Sequence, residues 1–126
     1  MRIFTSRAFS RLQVASELSD ADLVSAVVEM NDGLWDANLG GQVYKKRVAL
    51  AGRGKRGGAR TLVAFRSHDR CFFIYGFAKN QRSNITAKET QALKRLAREL
   101  LGYSDAQLSD AVKHGALIEI EVQDDD

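Results

Sequence analysis

The spacing of apolar positions changes several times along this 126-residue chain, and each change marks a change of backbone. Residues 2–5 alternate well enough for a short first strand. Residues 6–15 place Phe9, Leu12 and Val14 among arginines and read as a weakly patterned helix. A better-signalled helix follows, with Ser19 as its cap and Asp20 and Asp22 in a first turn that favours carboxylates. Leu23, Val27 and Met30 recur at helical spacing, Val24 and Val28 widen the stripe, and Asn31-Asp32-Gly33 ends it. The period then drops to two. Residues 59–66 set Arg60, Leu62, Ala64 and Arg66 against Thr61, Val63 and Phe65, residues 67–70 form a turn, and residues 71–78 are a strongly β-forming run. These two strands predict an antiparallel hairpin. Residues 43–50 predict a third strand, joined to it by a glycine-arginine loop over 51–58. Thr86-Ala87-Lys88-Glu89 is a capping box. Behind it Leu93, Leu96, Ala97, Leu100 and Leu101 form an apolar helical stripe that Gly102 stops. Ser104 opens a short helix to about residue 114, and residues 116–122 alternate like a last strand. The expected fold is α+β, a small antiparallel sheet with the N-terminal and C-terminal helices packed on one face.

Composition adds bounds to this outline. A chain of this length with 44% hydrophobic and 28% charged residues is expected to fold as one domain over residues 1–126. The acidic end at 123–126 reads as a disordered, solvating tail. No apolar run approaches the roughly 20 residues that cross a bilayer, and no signal-peptide core follows the start, so no membrane partner is expected. The lone Cys71 lies in a run that reads as buried strand, which fits a reducing cytoplasm.

Charge changes the picture most. Residues 41–86 hold eleven Lys/Arg and a single acid, Asp69. Residues 1–40 hold three Lys/Arg against six Asp/Glu, and residues 87–126 five against nine. The formal net charge of +3 therefore conceals a polarised molecule. Cationic charge concentrated in a folded middle is the footprint of a phosphate-rich partner. Strand parity refines it: Lys45 and Arg47 share one face with Lys46 on the other, Arg60 and Arg66 share a face, and Lys79 and Asn80 sit at the exit of the central strand. If these strands are neighbours, the cations converge on the sheet face that the helices leave open.

Other motifs lack the context their chemistry needs. Gly52-Arg53-Gly54-Lys55-Arg56-Gly57 matches a dinucleotide-binding glycine pattern, but it leads into a strand rather than a helix. Its glycines suit a phosphate-facing loop instead. His68 and His114 have no Cys or acid at ligand spacing, so no metal and no cofactor are expected. Asn84-Ile85-Thr86 fits a glycosylation pattern, yet Thr86 already serves as a helix cap.

Three runs together, Lys45 to Ala49, Gly52 to Arg60, and Phe77-Ala78-Lys79-Asn80 before Asn84-Ile85-Thr86, resemble the RelE/ParE superfamily of toxins from type II toxin–antitoxin systems, with the HigB-like branch nearest. The likeness covers about residues 40–101. It implies a microbial-RNase-like fold and a metal-independent endoribonuclease that cuts messenger RNA on the ribosome, with growth arrest as the result. A ribose 2′-hydroxyl attacks the adjacent phosphate to leave a 2′,3′-cyclic phosphate. The implied partners are the ribosome, mRNA and an antitoxin of helix-turn-helix type. Carried over by position, the implied catalytic residues are Lys45, Arg47, Arg60, Lys79 and Asn80, with Lys45 as a candidate base. Lys46, Arg53, Lys55, Arg56, Arg66 and Arg82 are expected to bind RNA. Thr86 stands near where some relatives carry a base-stacking tyrosine, a part that Tyr75 or His68 could take here. Two alternatives stay open on the same scaffold: a ParE-like inhibitor of DNA gyrase that cuts nothing, and a non-cleaving RNA-binding module.

Overall fold

The computed structural model describes residues 1–50, 54–78 and 80–122, and the side chains of these except at 50 and 54–57. Strand β1 (Arg2–Ser6) runs into α1 (Arg7–Ala15) and α2 (Asp20–Asn31). Three hydrogen-bonded strands come next, β2 (Ala37–Gly40), β3 (Val43–Leu50) and β4 (Gly54–Arg66), then β5 (Arg70–Ala78). Helices α3 (Ala87–Leu101) and α4 (Asp105–Lys113) precede β6 (Leu117–Ile120). The helix starts are where local chemistry puts them. Ser19 with Asp22, Thr86 with Glu89 and Ser104 with Gln107 each form a reciprocal capping box. Strand β2 has no counterpart in the sequence reading, because its Ala-Asn-Leu-Gly run carries neither β-branched residues nor a full alternation. The expected loop over 51–58 is corrected too, since β4 is hydrogen-bonded from Gly54 onward.

The six strands form one sheet in the order β2-β3-β4-β5-β1-β6. All neighbours are antiparallel except β1 and β5, which run parallel with Ile3 opposite Cys71 and Phe4 opposite Phe72. The α+β antiparallel class stands, but the helices do not share one face. Phe9 of α1 and Leu23, Ala26, Val27 and Met30 of α2 pack with Val48, Val63, Phe65 and Phe73 in one core. Ala97, Leu100 and Leu101 of α3 and Leu108 of α4 pack with Phe4, Val43, Leu62, Ala64 and Phe72 in a second. The reason is legible along β4 and β5, whose side chains are apolar on both faces, so each face must be covered. Val28, read as widening the apolar stripe of α2, is exposed, as is Val14 of the weakly patterned α1.

A bulge in β5 sets up the site. Leu62 pairs with Tyr75 and Val63 with Phe73, which leaves Ile74 as the extra residue. Ile74 and Tyr75 consequently both join the core under α3, and Phe77 follows on that face. Gly76 turns toward α1, where an added Cβ would lie 2.6 Å from a Leu12 methyl group.

Candidate nucleic-acid interface

The α3 face of the sheet is not wholly covered. Beyond the start of α3, the outer parts of β3 and β4 are left uncovered at a corner, and there a hollow of about 180 Å³ opens. Lys45, Arg47, Arg60, Leu62, Phe77 and the loop residues Ser83 and Asn84 line it together with Asp36. Register makes this convergence: Arg47 lies directly opposite Arg60, and Lys45 opposite Leu62. The cations thus meet at an open corner rather than across an open face. Like charges directly opposite on neighbouring strands repel, so the pair is held at a cost that a bound anion relieves.

Each cation in the corner stands differently. Arg60 lies between Arg47 on one neighbouring strand and Phe77 on the other. Its Nη1 is buried and has no hydrogen-bond partner among the described residues. A buried unpaired guanidinium donor is expensive, which marks it as a group waiting for an acceptor. Arg47 is half exposed, and its Nε lies 3.2 Å from Asp36 Oδ1. Its backbone N–H donates to Asp36 Oδ2 at 2.6 Å. Asp36 thereby fixes the direction of the Arg47 fork through its Nε, and among the described residues no partner takes the two terminal nitrogens. Sequence reading missed Asp36 because it falls in an unpatterned stretch before β2.

Several of the other residues expected at the site stand away from the hollow or are engaged within the fold. Lys46 also borders the hollow, but it is 2% exposed and its ammonium reaches toward α2. There its ammonium donates to Glu29 Oε1 at 2.6 Å and to the Leu34 carbonyl at 2.8 Å. Strand parity had already put it on the other face, and α2 covers that face. Arg82 is likewise occupied within the fold. It forks onto Glu89 at 2.9 and 2.6 Å, and donates to the Asn84 carbonyl and the Tyr75 hydroxyl. This strut pins the 83–84 wall of the hollow to the first turn of α3. Asn80 is exposed in the turn after β5 and lies outside the hollow, where Ser83 and Asn84 stand instead. Arg66 sits six residues down β4 from Arg60, about 20 Å away, and pairs with Asp69 at 3.1 Å. His68 is farther still, in the β4–β5 turn with φ at 58°, and cannot stack on a ligand in the corner. Tyr75 packs under α3 with its hydroxyl on Arg82. Arg53 and Lys79, and the side chains of Lys55 and Arg56, lie outside the described residues.

The strut has a pH signature. Arg82, with help from the Thr86 backbone N–H, holds the Glu89 carboxyl down at about 2, from an ordinary 4.5. A carboxyl lowered on folding adds stability above its unfolded value and loses it as pH falls toward the folded one. Acid unfolding is therefore expected to consume this contribution between about pH 4.5 and 2. Arg82→Gln is expected to return the Glu89 titration, followed by carboxyl carbon NMR, toward 4.5. A Glu89 midpoint that stays near 2 in that variant would show that the cap alone sets it.

Among the described residues no cluster of three or more His, Cys, Asp or Glu side chains is arranged to hold a metal ion. No described helix is long and apolar enough to cross a membrane. Fold and site define a small α+β protein with a hollow at one corner of its sheet that Lys45, Arg47 and Arg60 line. The family described as the RelE toxin of the RelE/RelB toxin–antitoxin system matches residues 1–120, and this chain belongs to that family. It is the toxin of a toxin–antitoxin pair, and an antitoxin is its partner. The match extends the likeness at Lys45 to Thr86 over both ends of the fold. It reaches the family and not the HigB-like branch.

Proposed function

We propose that this toxin is a metal-independent endoribonuclease that cleaves messenger RNA on the ribosome and so inhibits translation. The buried, unpartnered Nη1 of Arg60 in a hollow shared with Lys45 and Arg47 carries the reading. Attack of a ribose 2′-hydroxyl on the adjacent phosphate piles negative charge on the phosphate oxygens. Donors already fixed in place stabilise that charge without reorganising. In this reading Arg60 takes a non-bridging oxygen, and the Arg47 fork, aimed by Asp36, takes another. Lys45 relays the proton from the 2′-hydroxyl to the leaving 5′ oxygen. The bonds made and broken leave a 2′,3′-cyclic phosphate and a free 5′-hydroxyl. Lys79 belongs to the proposed catalytic set on its position in the chain, as Arg53, Lys55 and Arg56 belong to the proposed RNA contacts. The antitoxin, proposed to be of helix-turn-helix type, would silence the toxin by covering the corner.

Purified toxin incubated with programmed ribosomes and message is expected to yield new 5′-hydroxyl ends at defined codon positions. Intact message, together with chromosomal breaks and a DNA-damage response on induction, would sink this reading in favour of gyrase inhibition. Tight RNA binding with no cleavage at all would instead favour a binding module.

A further inference from the structure

A second basic feature lies on the same face and takes no part in the corner. One flank of α3 presents Gln91, Lys94, Arg95 and Arg98 at the three- and four-residue spacing that puts side chains in one row. That flank forms a groove with Arg66 and with Gly41 and Gln42 of the β2–β3 turn. Among the described residues four cations line it and no acid does. Asp69 is engaged by Arg66 at 3.1 Å, and Glu99, next to Arg98, accepts from the Tyr103 hydroxyl at 2.9 Å. Lys94 and Arg98 repel each other at i, i+4, a small cost to the helix that an anionic ligand would reverse.

The turn is built to receive Lys94. Gly40 and Gly41 have φ of 84° and 61°, a region that favours glycine. The Lys94 stem crosses Gly41 so closely that a Cβ there would lie 3.1 Å from its Cγ. The ammonium is thus fixed at the groove edge while the exposed Arg95 and Arg98 reach outward. The groove is also in line with the corner: Gln42, just before β3, lines one and Lys45 on β3 the other, three residues apart, about 10 Å. Along β4 the corresponding separation from Arg60 to Arg66 is about 20 Å. A single phosphate cannot touch both sites, but one strand of several nucleotides can.

We propose that the α3 flank is a docking track for the phosphate backbone of single-stranded RNA, continuous with the Lys45–Arg47–Arg60 corner. This deepens the nuclease reading and rests on it for the identity of the polyanion. The track would hold the strand beyond the scissile phosphate and supply affinity without reading bases.

The test compares an uncleavable 2′-O-methyl RNA ten nucleotides long with a dinucleotide of the same chemistry. Affinity is measured by fluorescence anisotropy over a salt series, the dinucleotide by competition. For Lys94→Ala/Arg95→Ala/Arg98→Ala, the long strand is expected to bind about tenfold more weakly at low salt. Its log–log salt slope should be shallower by about 2, while the dinucleotide is unaffected. Arg95→Ala/Arg98→Ala removes only exposed groups and serves if loss of Lys94 disturbs the turn; its slope should fall by about 1.4. Unchanged affinity for the long strand, whatever the variants do to antitoxin binding, overturns the track. Equal loss for both lengths overturns it as well. Arg60→Ala tests the nuclease reading separately: dinucleotide affinity untouched by that change faults the corner and not the flank.

Discussion

Arg60→Ala is expected to lower the rate of ribosome-programmed mRNA cleavage by about 10²–10³ while leaving the fold at least as stable as before. Both halves follow from one atom. The Arg60 Nη1 is buried and without a partner among the described residues, so its removal deletes a desolvation cost instead of a hydrogen bond. A fixed donor to a developing oxyanion contributes roughly 3–4 kcal/mol to the transition state, which sets the size of the rate effect. Initial rates on programmed ribosomes and the urea midpoint of the purified protein measure the two halves independently. A variant that melts early and cleaves normally would show that Arg60 is a structural residue. Arg60→Lys should recover little, since an ammonium supplies a point charge and not a fork. Arg82→Ala makes the informative contrast, because it deletes a strut bonded to Glu89, Tyr75 and Asn84. Its first effect should be on stability.

Gly58→Ala is expected to destabilise the protein by about 3 kcal/mol or more, the largest cost we foresee from adding one methyl group. A Cβ at position 58 would stand 1.8 Å from the Val48 carbonyl oxygen, 2.7 Å from its carbon and 3.1 Å from the Ala49 Cα. Every one of these is backbone, so no rotamer change relieves the clash and β3 must shift away from β4. Val48 pairs with Ala59 and Arg47 with Arg60 in the adjoining register, so the shift also separates Arg47 from Arg60. Urea unfolding should show the loss, with a fall in melting temperature on the order of 10 °C for a domain of this size. Gly76→Ala provides the scale. Its closest neighbour is the tip of the Leu12 side chain at 2.6 Å, which can swing aside, so the cost should be smaller. Wild-type stability in Gly58→Ala would mean that the two strands are farther apart at this point than described.

Local rules carried far where the relevant physics is local. The helix starts at Ser19, Thr86 and Ser104, the α3 stripe and the β4–β5 hairpin depend on residues a few positions apart, and the structure has them where the sequence puts them. Strand β2 was missed because four weakly β-forming residues pair only once β3 is there to accept them. The covering of both sheet faces was missed for a related reason. Alternation along one strand distinguishes two faces, and says nothing about which helix reaches which.

The candidate site divides along the same line. Strand parity alone separates Lys45 and Arg47 from Lys46, and it puts Arg60 and Arg66 on a common face, because side-chain period is intrinsic to a β-strand. The sequence alone determines that this is a polarised α+β protein with its cationic charge concentrated in the middle, a pattern that suits a phosphate-rich partner. Only the tertiary structure decides which cations are available to that partner. Register sets Arg47 beside Arg60, Asp36 comes in from a distant turn to aim Arg47, and Glu29 and Glu89 occupy Lys46 and Arg82. An arginine in the sequence is a charge of fixed sign, but whether it binds a ligand or braces the fold depends on which carboxylate folding brings within reach.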